Sequence, residues 1–321
     1  MLRSLLIAAL ALVLIAGGPL VLPDTADDTT RSGPELAYDD SRFERFNDVE
    51  VHHQVAGADG APAVLLSHHF YGSVPTWRHV MADLADDHLV AAFDRPGFGL
   101  TERKPRRDWN GTNPYTRASA ATIGWELLDH LDAREAVLIG SSAGGTNVLE
   151  MYARQPERVR ALVLLSPAVT GDIGPPNFLR PVLRGPQGRA VAPIIAQRLA
   201  SDVSVERISS SWAEPSRATE ADAEPYQRML RVEGWELGFW ELINAEPRPD
   251  LREVVRRIDV PTLLVTGDRD GVIAPRWNRR TAEAIPGARF AVLDDCGHTP
   301  QEECPDQLMA VVRDFLADVE G

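Results

Sequence analysis

The run Gly140-Ser141-Ser142-Ala143-Gly144 places Ser142 at the centre of a G-x-S-x-G pattern. The apolar stretch Ala136–Ile139 precedes it, and a helical pattern through Val148, Met151 and Tyr152 follows it. A sharp turn between strand and helix pushes its central serine into strained backbone geometry, while flanking glycines let neighbouring chain come close. The hydroxyl then stands at a helix N-terminus, where backbone N–H groups favour developing negative charge. Ser142 is therefore the candidate nucleophile, and Ser141 is expected to pack. The plainer alternative is a helix-capping serine in a Gly-rich turn.

A serine hydroxyl needs a base to become a nucleophile. The chain has eight histidines, and His298 stands out by position, in the loop Asp294-Asp295-Cys296-Gly297-His298-Thr299-Pro300 after the last predicted strand. The base in turn needs a carboxylate to fix its tautomer and stabilise its charged form. Thr262–Thr266 runs into Gly267-Asp268-Arg269-Asp270, so both aspartates sit at a strand exit. Asp270 is preferred, with Asp268 its nearest rival; at least one of the two is expected to be an ordinary turn aspartate.

These groups need a scaffold. Short, continuous apolar runs at Ala63–Leu66, Leu89–Phe93, Ala136–Ile139, Ala161–Leu165, Thr262–Thr266 and Phe290–Leu293 read as strands buried on both faces. Val49–Val55 alternates instead and is expected to be an antiparallel edge strand. Helical patterns lie between the runs, for example Ala120, Ile123, Leu127, Leu128 and Leu131, or Leu308, Val311, Val312, Phe315, Leu316 and Val319. Alternating strand and helix predicts an α/β fold: a mostly parallel central sheet with helices on both faces. The alternation breaks at about residues 171–248, where prolines open a helical stretch carrying Trp212, Trp235, Phe239 and Trp240. This stretch is expected to be an inserted helical cap over one end of the sheet, with these aromatics walling a pocket or packing the cap.

The candidates occur in the order Ser, Asp, His, each just after a predicted strand. With Asp94-Arg95-Pro96-Gly97-Phe98-Gly99, the Gly140–Gly144 turn, Gly267-Asp268-Arg269-Asp270 and Gly297-His298, residues 46–319 resemble the α/β-hydrolase superfamily. The resemblance selects Asp270 as the acid, because the family's acid usually ends a G-x-x-D run. It also implies an oxyanion hole made by the backbone N–H of Ala143 and that of Phe70, in the loop Ser67–Ser73. Family members usually read His-Gly in that loop, and this chain has His69 in place of the glycine. A side chain there restricts the backbone if the position needs positive φ. His69 is expected to have a structural role or to enter the pocket as an extra donor.

The resemblance implies two-step acyl transfer on a small-molecule substrate with an apolar acyl or alcohol group. Carboxylic ester hydrolysis leads. Hydrolysis of C–C bonds by the same triad remains open, as does a non-catalytic ligand-binding protein of this fold. Serine at the nucleophile position sets the chain apart from the dehalogenase and epoxide hydrolase branches, which use aspartate there. No metal or organic cofactor is implied. Cys296 and Cys304 lack the partners of a zinc site and read as small buried residues, or as a pair if the chain lies outside the cytoplasm.

Composition and charge bound the remaining possibilities. The 321 residues carry 33 basic and 47 acidic side chains, a net charge of −14, which argues against nucleic acid as a partner. Residues 1–22 contain the uncharged run Leu5–Leu22, preceded by Arg3 and followed by Asp24, Asp27 and Asp28. As a helix it would span roughly 27 Å, enough for a thin bilayer. It reads as an anchor or a signal peptide, placing the chain on a membrane facing outside the cytoplasm, or secreted. Residues 23–45 read as an acidic linker, and residues 46–321 as the α/β domain.

Overall fold

The computed structural model describes residues 30–169, 180–200, 203–247 and 250–321. The run Leu5–Leu22, the first part of the expected linker and the cap's opening prolines Pro175 and Pro176 lie outside these residues. Among the described residues, no helix is long and apolar enough to cross a membrane.

Eight strands form one sheet. They are β1 (Arg42–Phe46), β2 (Val49–Ala56), β3 (Ala63–Ser67), β4 (Leu89–Phe93), β5 (Ala136–Ser141), β6 (Val159–Leu165), β7 (Thr262–Gly267) and β8 (Arg289–Leu293). Their spatial order is β1-β2-β4-β3-β5-β6-β7-β8. β3 to β8 are parallel to their neighbours, while β2 is antiparallel to both β1 and β4.

Two expectations change here. Val49–Ala56 is antiparallel as expected, but it is not the edge. β1 covers it, and all of β1 but Phe46 falls within the segment read as a linker. Asn47 and Asp48 both adopt positive φ, 44° and 62°, which makes the tight two-residue turn of a hairpin. Residues 31–45 are therefore part of the fold: Leu36 is buried with Leu100 and Val232, and Phe43 packs on that cluster.

The helices of the sheet domain are α1 (Arg78–Leu84), α2 (Arg117–His130) and α3 (Ala143–Arg154), then α9 (Arg252–Val255), α10 (Pro275–Ala284), α11 (Pro300–Glu303) and α12 (Pro305–Glu320). Alternate residues of each central strand point to opposite faces. Leu65, Leu138, Leu162 and Leu264 join one core with α2, α3, α9 and α10. Val64, Leu66, Val137, Ile139, Val163 and Val265 join a second core with α1 and α12. Both faces are thus covered by helices. That is why the central strands are uninterrupted apolar runs.

Between β6 and α9 come α4 (Arg180–Leu183), α5 (Pro186–Ala200), α6 (Val205–Ile208), α7 (Glu220–Met229) and α8 (Trp235–Ala245). No named strand occurs among the described residues of this insertion. α5 and α8 pack as a pair, tied by the Arg189–Glu241 ion pair at 2.6 Å.

Candidate active site

Ser142, Asp270 and His298 all follow the C-terminal ends of parallel strands, the edge where α/β sheets place their ligands. Ser142 comes directly after β5, Asp270 after β7 and His298 after β8. Ser142 has φ 50° and ψ −112°, a conformation that L-residues rarely adopt and that persists only when its surroundings hold it. Two bonds to the β6 side hold it: Ser142 N–H donates to the Leu165 carbonyl at 2.8 Å, and the Ser142 carbonyl accepts from Ala168 N–H at 3.1 Å. Its side chain has no hydrogen-bond partner among the described residues. It borders a cleft of about 670 Å³ lined also by Ala168, Ile273, Trp277 and Arg280. Ser141 is fully buried, as expected.

His298 Nδ1 lies 2.9 Å from Asp270 Oδ2 and 3.1 Å from Oδ1. Asp270 Oδ1 also accepts the N–H groups of Val272, at 2.9 Å, and Ile273, at 2.8 Å. Burial acts to raise the Asp270 carboxyl, but the hydrogen bond and charge of His298, with the Ile273 N–H, outweigh it and hold the group below the ordinary aspartate range. The rival Asp268 is exposed and accepts from Cys296 N–H at 3.2 Å. It is a turn aspartate that ties the two loops together. A Cβ on Gly267 would overlap the carbonyls of Cys296 and Gly297, so only glycine lets the acid's loop lie against the histidine's. Cys296 and Cys304 are both buried and are joined by a disulfide that closes the loop around His298.

The expected oxyanion donors belong to two segments that touch. A Cβ on Gly144 would overlap the carbonyl oxygens of Ser67 and His68, so the start of α3 lies against the loop after β3. Neither Phe70 N–H nor Ala143 N–H has an acceptor among the described residues.

Sequence reasoning missed the groups that set this loop. Arg95 Nη2 donates to the carbonyls of His68, at 2.7 Å, and His69, at 3.1 Å. Arg95 N–H donates to His68 Nε2 at 3.1 Å, so the His68 proton sits on Nδ1, which donates to the His69 carbonyl at 2.8 Å. Burial pushes His68 down to about 3 and keeps this tautomer neutral. Asp94, fully buried, accepts from Val74 N–H at 2.6 Å and Leu100 N–H at 2.7 Å and pairs with His52 Nδ1 at 2.6 Å. The signal was present in Asp94-Arg95-Pro96-Gly97-Phe98-Gly99, read only as a family mark.

His69 does not need positive φ; the residue that takes it is Tyr71, at 71°. The His69 ring turns toward the cap. Its Nε2 lies 3.1 Å from the Tyr226 hydroxyl, and Gln301 Nε2 lies 3.3 Å from its Nδ1. Tyr226 donates to Glu302 at 3.1 Å. With that proton direction His69 donates from Nε2 and accepts at Nδ1, a neutral ring, and burial holds its pKa well below the ordinary value. The role is structural: His69 pins the loop to α7 and α11.

The cap reaches the site at two more places. His298 N–H donates to the Ser211 carbonyl at 2.9 Å. Phe239 lies 6.0 Å, ring to ring, from both Phe70 and Tyr71, in a cluster with Trp235. Trp240 is buried and donates to the Leu183 carbonyl within the cap, and Trp212 is half-buried. None of the four cap aromatics lines the cleft beside Ser142. Trp277, from α10, does.

Glu302 carries a prediction of its own. Burial pushes its carboxyl up to about 8; Arg78 and the Tyr226 hydroxyl pull the other way, and Asp222 adds to the rise. A raised carboxyl is protonated in the native state while the unfolded chain, at about 4.5, is already ionised. The Glu302 contribution to native stability is therefore fully present below about pH 4.5 and is lost as pH rises to about 8, by several kcal/mol at roughly 1.4 kcal/mol per unit. Glu302→Gln cannot ionise and keeps an acceptor for Tyr226. Thermal unfolding should show little change at pH 5 and a midpoint several degrees higher than wild type at pH 8. An equal shift at both pH values would mean Glu302 is charged in the fold.

The chain matches the family described as alpha/beta hydrolase fold across residues 62–305. It belongs to the α/β hydrolase family. It is 30% identical over 253 residues to the 2-hydroxymuconate semialdehyde hydrolase of Pseudomonas sp. (strain CF600), covering 76% of this chain and 82% of that one. It is 27% identical over 316 residues to epoxide hydrolase A of Mycobacterium tuberculosis, covering 85% and 96%. Among solved structures, a thermophilic esterase from Thermogutta terrifontis superposes with a TM-score of 0.70 at 22% identity, covering 88% of this chain and 99% of that one.

Proposed function

We propose that this protein hydrolyses carboxylic esters by acyl transfer through Ser142, His298 and Asp270. The observation that carries the reading is the strained Ser142, held at a helix start against the Phe70 loop with its hydroxyl unpartnered, while His298 is oriented by Asp270. Ser142, deprotonated by His298, attacks the ester carbonyl. The N–H groups of Phe70 and Ala143 take the charge that develops on oxygen. His298 then protonates the leaving alcohol, and water releases the acyl group by the same steps in reverse. A serine at the elbow fits this chemistry rather than that of the epoxide hydrolase branch, which the family resemblance associates with aspartate there.

The test is labelling with a fluorophosphonate beside turnover of p-nitrophenyl esters of increasing chain length. We expect one covalent label per chain, located on Ser142 by mass spectrometry, and turnover whose length profile reports the pocket. A folded protein that neither labels nor turns over any ester defeats the reading. C–C bond hydrolysis is the second reading, favoured by the 30% identical relative named a 2-hydroxymuconate semialdehyde hydrolase. Labelling with slow ester turnover, and fast cleavage of a vinylogous β-diketone acid, would select it. We also place the protein outside the cytoplasm, attached through Leu5–Leu22 or released after it. The apolar run and the Cys296–Cys304 disulfide, a bond that persists in oxidising compartments, support that placement.

A further inference from the structure

Among the described residues, six large apolar side chains stand well out in solvent, and three of them are in the cap. They are Val182 in α4, Ile194 in α5 and Leu237 in α8, exposed by 49, 37 and 42%. Residues 180–200 hold four arginines and no acidic residue, in a chain of net charge −14. Arg184 and Arg198 are exposed, while Arg180 is buried and Arg189 pairs with Glu241. Exposed apolar side chains on a segment that also exposes arginines, in a domain otherwise acidic, form the kind of surface that sits in a lipid interface.

The path of the chain points the same way. Arg31 N–H donates to the Arg231 carbonyl and Glu233 N–H donates to the Arg31 carbonyl, each at 2.8 Å. The chain is therefore stitched to the α7–α8 loop of the cap just after the acidic stretch. Arg31 is nine residues past Leu22, the end of the apolar run. Nine residues reach at most about 30 Å, so the end of the run cannot lie farther than that from the cap. One helix separates the exposed face from the site: α8 exposes Leu237 on one side and packs Phe239 against Phe70 on the other.

We propose that the cap face bearing Val182, Ile194 and Leu237 rests on the bilayer that receives Leu5–Leu22, and that the substrates are esters dissolved in that bilayer. This rests on the ester-hydrolase reading above. Substrate then passes from the bilayer to the cleft at Ser142, and product acid leaves to the aqueous side.

The test uses the full chain in vesicles of phosphatidylcholine with a minority of phosphatidylglycerol. Turnover of vesicle-borne p-nitrophenyl palmitate is compared with that of water-soluble p-nitrophenyl butyrate, for wild type and for Val182→Asp/Ile194→Asp/Leu237→Asp. Separately, Leu237→Cys carries a bimane fluorophore. We expect palmitate turnover to fall about tenfold or more in the triple variant with butyrate turnover unchanged, and brominated lipid to quench the fluorophore. No selective loss and no quenching would overturn the proposal. Quenching without the selective loss would keep the surface and overturn the bilayer-borne substrate. A fluorophore shielded from aqueous iodide but not quenched by brominated lipid would assign the face to a second copy of the chain, and overturn it too. Loss of both activities in the triple variant marks misfolding, and the single-site quenching then decides. A wild type inert toward butyrate defeats the ester reading alone, because the quenching reads the surface without any turnover.

Discussion

Ser142→Ala should lower kcat for ester hydrolysis by about 10⁶-fold and leave KM within a few-fold of wild type. In the proposed mechanism the oxygen that is removed forms the bond to the acyl group, and nothing else described beside it can replace it. What remains is binding plus the N–H groups of Phe70 and Ala143, typically worth roughly 10³–10⁴ over water. The substitution is clean because the Ser142 side chain has no hydrogen-bond partner to lose among the described residues. Alanine meets the same backbone demand at φ 50° as serine does. The unfolding free energy should therefore stay within about 0.5 kcal/mol of wild type. A mutant that keeps more than a tenth of wild-type kcat would remove Ser142 from the chemistry. One that loses activity together with stability would point to a structural role.

Asp270→Asn should cost about 10⁴-fold in kcat with the fold intact. The reason lies in how the carboxylate is shared. Its Oδ1 accepts two backbone N–H groups, from Val272 and Ile273. An asparagine must keep its carbonyl oxygen there, which forces its NH2 into the place of Oδ2, 2.9 Å from His298 Nδ1. Nδ1 would then accept, and the imidazole proton would move to Nε2, the atom that must take the Ser142 proton. The loss should ease as pH rises, when other routes deprotonate the serine. Asp268→Asn, at the exposed rival, should change kcat by less than about threefold, because the asparagine carbonyl oxygen can still accept from Cys296 N–H and an exposed substitution that keeps its bond is nearly neutral. Reversed effects at these two positions would reassign the acid.

Much of this architecture can be read from the residues because the central strands are buried twice over. Val64-Leu65-Leu66 and Leu162-Val163-Leu164 feed both cores, and only an unbroken apolar run can do that. The strand β1 is harder to read because Arg42-Phe43-Glu44-Arg45-Phe46 pairs on one side only and buries Phe46 alone. Its one strong local signal is the Asn47-Asp48 turn, two residue types that tolerate positive φ. The positions of Ser142, Asp270 and His298 are legible because each follows a strand. Their support is not. Arg95 grips carbonyl oxygens 26 and 27 positions away. Tyr226 meets His69 across 157 positions. No spacing rule links residues that only the folded chain brings together. The cap aromatics mislead for a related reason: tryptophan and phenylalanine fill a cap's own core as readily as a pocket wall.

The cap touches the machinery at the Ser211 carbonyl on His298, at Tyr226 on His69 and at Phe239 on Phe70. Within this fold an inserted cap is often pictured as an exchangeable module that changes while the chemistry stays fixed. Here that separation fails. A graft that swaps residues 180–247 for another cap would remove a hydrogen-bond acceptor from the His298 backbone and a tether from the His69–Phe70 loop together. Changing side chains around Ser211, Tyr226 and Phe239 one at a time would disturb fewer of these contacts than replacing the insertion whole.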